Sequence, residues 1–250
     1  MPRLLRATHL VLLALLLARP GGAEAVPEAE ARPAAPGGHG LSFVEIRTGP
    51  APPPGAGARP LPLVVAIHGL GDWPESFADL LDGFHVPARV VLPRAPRPWG
   101  SGFAWLPGRN SPARGRAERR STERLAGLLR ELTPEGTEGA VVTGFSQGGI
   151  LSFALAARHP ELVRAAVPVS GYLPTSITPR RRAGPLPPIR ALHGTADRVL
   201  TVSRARRGAA RLRRLGFDVE LQEYEGVGHT VTDQMREDLF ERLAAALRAR

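Results

Sequence analysis

Three residues of this chain have the types that acyl transfer to a serine requires. Ser146 lies in Gly144-Phe145-Ser146-Gln147-Gly148-Gly149, Asp197 follows His193-Gly194, and His229 follows Gly226-Val227-Gly228. A serine hydroxyl is a weak nucleophile until a base takes its proton, and the base needs an acid to hold it in the right tautomer. The G-x-S-x-G spacing suits that task. A serine on a sharp strand-to-helix turn projects its oxygen above the sheet, and a side chain at Gly144 or Gly148 would crowd the turn. The next backbone N–H, on Gln147, opens a helix and points where an oxyanion would develop. Gly69-Leu70-Gly71 offers a second donor, with Leu70 the best candidate.

Each feature alone also has an ordinary reading. The serine pattern arises by chance in a chain with 28 glycines. Asp197 reads equally as a turn or capping residue, and His229 as a loop histidine. His68 and His193 compete for the role of base, but both sit in strand-ending His-Gly pairs that suit packing or a structural hydrogen bond. Asp218 opens a strand and Asp233 lies in the final helix, so both fit the acid's role worse. Gly226 and Gly228 suggest a tight backbone approach before His229. No histidine pair has metal-ligand spacing, so neither a metal nor a cofactor is expected.

Elements that alternate along the chain must position these residues. Leu41–Arg47 alternates apolar and polar residues as an edge strand does, and Pro50–Pro60 reads as a loop. Continuous apolar runs at Leu63–Ile67, Ala88–Leu92, Ala140–Thr143, Ala165–Val169 and Ile189–Leu192 read as strands covered on both faces, with Asp218–Tyr224 as a further strand. Helices are expected at Pro74–Leu81 with Asp72 as its cap, at Ala117–Glu131, from about Gly148 to Arg158, through the arginine-striped 204–214, and around Met235–Leu243. Between them, 93–108 is rich in Pro and Gly and keeps Trp99, Phe103 and Trp105, so it either packs on the domain or lines a pocket. Leu173–Pro187 reads as an irregular excursion. The alternation predicts an α/β fold with a doubly wound, mostly parallel sheet and helices on both faces. Ser146, Asp197 and His229 then all fall on loops at the carboxyl edge of the strands, in the chain order of α/β-hydrolases.

Composition sets the boundaries. With 250 residues and 43% hydrophobic content the chain fits one domain, expected over 41–250. Arg3 and Arg6, the apolar run Leu10–Ala18 and Ala23-Glu24-Ala25 form a signal-peptide pattern over 1–25, which predicts a secreted or periplasmic protein. The apolar run is about half the roughly 20 residues of a spanning helix, so no stable membrane insertion is expected. Residues 26–40 read as a flexible leader. No cysteine is present, which removes disulfides, thiol catalysis and lipid attachment at the cleavage site. The net charge is +10 and every basic residue is arginine, a pattern that suggests GC-rich coding. Arg204, Arg207, Arg211 and Arg214 form one face of a helix, read as a solvated outer surface. No aromatic interleaving accompanies the charge, so nucleic acid is not an expected partner, whereas weak attraction to anionic surfaces is. Oligomeric state is not legible.

His68-Gly69-Leu70-Gly71-Asp72, Gly144–Gly149, His193-Gly194 with Asp197 and Val199, and Tyr224 with Gly228-His229 together resemble the phospholipase/carboxylesterase family, which includes acyl-protein thioesterases. The resemblance runs from about Leu61 to the C-terminus. It implies an α/β-hydrolase fold, Ser146 as nucleophile, His229 as base, Asp197 as its partner, and Leu70 and Gln147 N–H groups as the oxyanion hole. Ala104-Trp105 is similar to the family's substrate loop, which implies substrate binding by Trp105, with Trp99 beside it. Leu106-Pro107 stand where an aromatic-acidic pair usually follows. The expected activity is hydrolysis of small-molecule or lipid acyl esters, thioesters or lysophospholipids. The alternatives are an exported peptidase or polyester depolymerase on the same fold, and a non-catalytic binding module.

Overall fold

The computed structural model describes residues 30–32, 40–50, 60–133, 138–179 and 184–249. The signal-peptide pattern, residues 51–59 of the Pro-rich connection and Arg180–Arg182 lie outside the described residues.

Among the described residues the main sheet comprises β1 (Glu30–Arg32), β2 (Phe43–Thr48), β3 (Leu63–Ile67), β4 (Ala88–Pro93), β7 (Ala140–Phe145), β8 (Val163–Val169), β9 (Ile189–Gly194) and β10 (Val219–Tyr224). Their order is β1-β2-β4-β3-β7-β8-β9-β10. Pairs from β4 through β10 are parallel, while β1–β2 and β2–β4 are antiparallel. Successive side chains of β3 divide between two cores, as a strand buried on both faces requires: Val65 and Ile67 join one, Val64 and Ala66 the other. The first core also takes Leu125 of α2 (Arg114–Leu132), Ile150 of α3 (Gln147–Arg158) and Leu212 of α4 (Val202–Arg214). The second takes Phe77 of α1 (Pro74–Ala78) and Leu239 of α5 (Asp233–Arg248). The sheet is therefore covered on both sides, as the alternation of apolar runs predicts.

The direction in which successive strands are added reverses at β3. The path goes from β3 to β4 on one side and then, through α2, to β7 on the other, which makes the β3/β7 boundary a topological switch point. α3 leaves β7 there and is buried from Gln147 to Ala157, in keeping with its small and apolar composition.

Some local expectations need correction. Within the leader expected over 26–40, Glu30–Arg32 pairs with Phe43–Glu45 along the outer edge of β2, and residues 26–29 and 33–39 lie outside the described residues. The cap of α1 is Trp73, not Asp72, whose Oδ1 accepts the Trp73 N–H at 2.9 Å just outside the helix. α2 starts at Arg114 rather than Ala117, reinforced by an Arg114–Glu118 pair one turn apart at 3.0 Å. The loop 93–108 contains a hairpin of β5 (Arg97–Trp99) and β6 (Gly102–Ala104).

Candidate active site

β7 ends at Phe145, and the chain turns through Ser146 with φ +57° and ψ −111° before α3 begins. A non-glycine residue in that region carries about 1–3 kcal/mol of strain, held here by the packing on either side. The flanking glycines make the turn sterically feasible. A Cβ on Gly144 would lie 2.5 Å from the Ile67 carbonyl oxygen, and one on Gly148 only 1.8 Å from it. The turn is thus pressed against the end of β3.

At that turn His229 Nε2 lies 2.9 Å from Ser146 Oγ, and His229 Nδ1 lies 2.6 Å from Asp197 Oδ2. With Nδ1–H donating to the carboxylate, Nε2 is free to accept the serine proton. The Phe145 ring packs on the imidazole with centroids 4.8 Å apart. Asp197 is buried and richly supplied with donors: Val199 and Leu200 N–H reach Oδ1 at 2.8 and 2.7 Å. The loops of Asp197 and His229 are tied together, since Ala196 N–H donates to Val227 O and Gly226 N–H to Thr195 Oγ1, each at 2.9 Å. The tight backbone approach expected before His229 is made by Val227 and Gly228 against Gly194, and it is Gly194 that has no room for a side chain. A Cβ on Gly226 or Gly228 would meet open space, whereas one on Gly194 would stand 2.2 Å from Val227 O.

His193 and His68 do not reach the serine in this arrangement. His193 Nε2–H donates to Leu200 O at 2.6 Å and lies 3.3 Å from Asp197 Oδ2, so it steadies the carboxylate. His68 donates from Nδ1 to Gly69 O at 2.7 Å and accepts Ala95 N–H on Nε2 at 3.1 Å. Burial pushes both imidazoles toward the neutral form. Asp218 is also otherwise engaged, with Arg190 at 2.5 Å.

The two expected oxyanion donors come from adjacent strands. Gly69 sits beside the turn, where an added Cβ would lie 3.6 Å from Ser146 Cβ, and Leu70 follows it. Gly71 N–H is taken by Phe103 O at 2.8 Å, and Phe103 N–H by Asp72 O at 3.0 Å, so β6 clips this loop in place. The Gln147 N–H is the first of α3 and has no acceptor within the helix.

The side chain of Gln147 was not legible in the sequence as a site feature. Its Oε1 accepts both Trp105 and Leu106 N–H at 2.9 Å, and its Nε2 donates to Leu106 O at 3.2 Å. These contacts span more than 40 residues, which no local pattern encodes. The expectation for Trp105 is corrected by its position: it is 1% exposed, its ring tilted against that of His68 with centroids 5.5 Å apart, and its indole N–H donates to His68 O at 3.2 Å. An indole offers a large apolar body and one donor, and here both are satisfied inside the core. Trp99, by contrast, is exposed and lies beside Gly71. Leu70, Trp73 and Val199 complete the set of large exposed apolar side chains among the described residues, and all four belong to segments at this edge of the sheet. No cluster of His, Cys, Asp and Glu suited to a metal ion occurs among the described residues.

The phospholipase/carboxylesterase family model matches residues 56–247. A probable carboxylesterase of Oryza sativa subsp. japonica is 28% identical over 220 residues, which cover 80% of this chain and 82% of the rice protein. The crystal structure of esterase PE8 superposes with a TM-score of 0.64 at 25% identity, covering 80% of this chain and 99% of that one. That of Zea mays acyl-protein thioesterase 2 superposes with a TM-score of 0.63 at 24% identity, covering 82% and 98%.

Proposed function

Since the chain belongs to the phospholipase/carboxylesterase family and is a serine hydrolase of esters, we propose that it works through an acyl-enzyme on Ser146 and accepts lipid acyl esters, thioesters and lysophospholipids. The observation that carries this reading is the continuous hydrogen-bonded line from Asp197 through His229 to Ser146. Ser146 Oγ attacks the acyl carbonyl while His229 Nε2 takes its proton. Asp197 holds the imidazole in its tautomer and stabilises the imidazolium. Leu70 and Gln147 N–H groups receive the oxyanion, aided by the N-terminal end of α3. His229 then protonates the departing alcohol or thiol, and in the second half it takes a proton from water, which attacks the acyl-enzyme and releases the acid. No step needs a cofactor.

Ser146→Ala should lose at least about 10³-fold of kcat on a short acyl ester and all labelling by a fluorophosphonate. Full hydrolysis by that variant would refute the assignment. The non-catalytic alternative predicts no adduct even in folded wild-type protein.

Export is part of the same proposal, supported by the charged start, the apolar run and the small residues of 1–25. Protein recovered from a secreting host should have an intact mass that starts at Val26. A chain retained in the cytoplasm with its full N-terminus would count against it.

A further inference from the structure

A cleft of about 380 Å³ lies between α4 and the start of α2, lined by Arg114, Tyr172, Ser176, Arg204, Arg207 and Arg211 among others. Ser146, Asp197 and His229 are not part of its wall. Both helices close tightly on the segment between them. A Cβ on Gly208 would stand 3.0 Å from Leu173 N, and one on Gly115 would stand 3.3 Å from Ser176 Cβ. Arg211 Nη2 donates to Leu173 O at 2.5 Å, and the Arg204 guanidinium lies over the Tyr172 ring at 5.3 Å. The arginine face that the sequence suggests is a solvated surface is therefore one wall of a cavity.

The charge in this cleft is not balanced. Glu118 is the one acid in its lining and is already taken by Arg114 at 3.0 Å and by the Ser176 hydroxyl. Arg204, Arg207 and Arg211 find no carboxylate among the described residues, although Arg206 on the same helix pairs with Glu223. A second groove, of about 670 Å³ beside α5, makes the contrast. There Arg164 meets Glu138, and Arg190 and Arg242 both meet Glu220. Unneutralised guanidiniums gathered in one cleft repel each other; burial, with Arg207 and Arg214 nearby, lowers the pKa of Arg211. Its Nε is buried without a hydrogen-bond partner. α2 adds to the field, because it starts without a capping side chain and without an acid in its first turn.

We propose that this cleft binds a phosphate-type dianion, supplied either as free phosphate or as the phosphate monoester of a lipid headgroup. Planar guanidinium forks match phosphate oxygens in pairs, and several such forks favour a dianion over a single negative charge. The Tyr172 hydroxyl, 3.4 Å from Arg204 Nη1, borders the same space.

The test is calorimetric titration of the full chain with inorganic phosphate at fixed ionic strength. Wild type and Arg206→Gln should each bind one phosphate saturably, because Arg206 faces Glu223 rather than the cleft. The double variant Arg204→Gln/Arg207→Gln should bind at least about tenfold more weakly. Arg207→Gln alone, a change to an exposed side chain, should lose part of that affinity while keeping the wild-type circular dichroism and melting temperature. Recruitment to phosphatidylcholine vesicles that contain phosphatidic acid, competed by inorganic phosphate and lost in the double variant, would identify the lipid headgroup as the source. Phosphate binding without recruitment would identify the free ion. The proposal is overturned if wild type binds neither, if the variants bind as wild type does, or if Arg206→Gln loses as much as the double variant. These readouts do not depend on hydrolysis.

Discussion

Gln147 does two things at once. Its backbone N–H opens α3 beside Ser146, and its carboxamide holds the Trp105 and Leu106 amides. Removing the carboxamide leaves two buried N–H groups without an acceptor, at about 1–3 kcal/mol each. Gln147→Ala should therefore lower the melting temperature by roughly 5 °C or more, and reduce kcat/KM as the segment behind the oxyanion loop loosens. Gln147→Glu keeps an acceptor for the two N–H groups but loses the Nε2–H donated to Leu106 O and buries a charge. It should therefore recover only part of the melting temperature, and more of it at pH 5, where the protonated acid can donate, than at pH 8; thermal scans of the two variants at both pH values would decide this. Ser146, Asp197 and His229, which the structure joins by hydrogen bonds, stood out in the sequence because each sits in a local motif at a strand end. Gln147's carboxamide, the His193 brace on Asp197 and the burial of Trp105 were not, since each depends on a partner distant in sequence or on which face of a loop turns inward.

Strand ends supply the braces around the site, and two of these are histidines kept neutral by burial. The unfolded chain takes up protons on His68 and His193 near pH 6.5, whereas the folded chain does so only at lower pH. Below pH 6.5 the unfolded state binds more protons, so stability is complete above that pH and falls as pH drops toward the folded values. The slope approaches about 1.4 kcal/mol per pH unit for each histidine that stays neutral. Urea midpoints at pH 7.5 and 5.5 should show this loss, and His193→Gln should flatten it; equal midpoints would contradict the linkage. Strands and helices were legible from apolar runs and helical periodicity. What escaped was how loops use their backbone: the β5–β6 hairpin within 93–108, and Gly194 as the residue against which the Val227–Gly228 backbone closes.

Over the whole molecule, apolar and charged surfaces are segregated. The large exposed apolar side chains gather around the catalytic edge, and an unbalanced set of arginines fills the cleft between α2 and α4. Trp99 is the more exposed of the two tryptophans in the apolar group and should contact an acyl chain of sufficient length. Trp99→Ala is expected to raise KM for octanoate esters roughly tenfold with kcat little changed, and to leave acetate esters unaffected. A uniform effect on both would remove Trp99 from the substrate's path. The layered sheet was readable from sequence because buried parallel strands are continuous apolar runs, while the cleft was not, because it takes three separate segments to close it. The switch point between β3 and β7 also bears on how this enzyme comes into being. Ser146 and the N–H groups proposed to receive the oxyanion lie at the ends of β3 and β7, which are made before β10, whereas His229, the proposed base, arrives only after β10, near the end of synthesis. A partly synthesised or partly refolded chain therefore holds a serine with no proton acceptor and cannot turn over. During refolding, the return of hydrolysis should lag behind the formation of the central strands and time the docking of the last one.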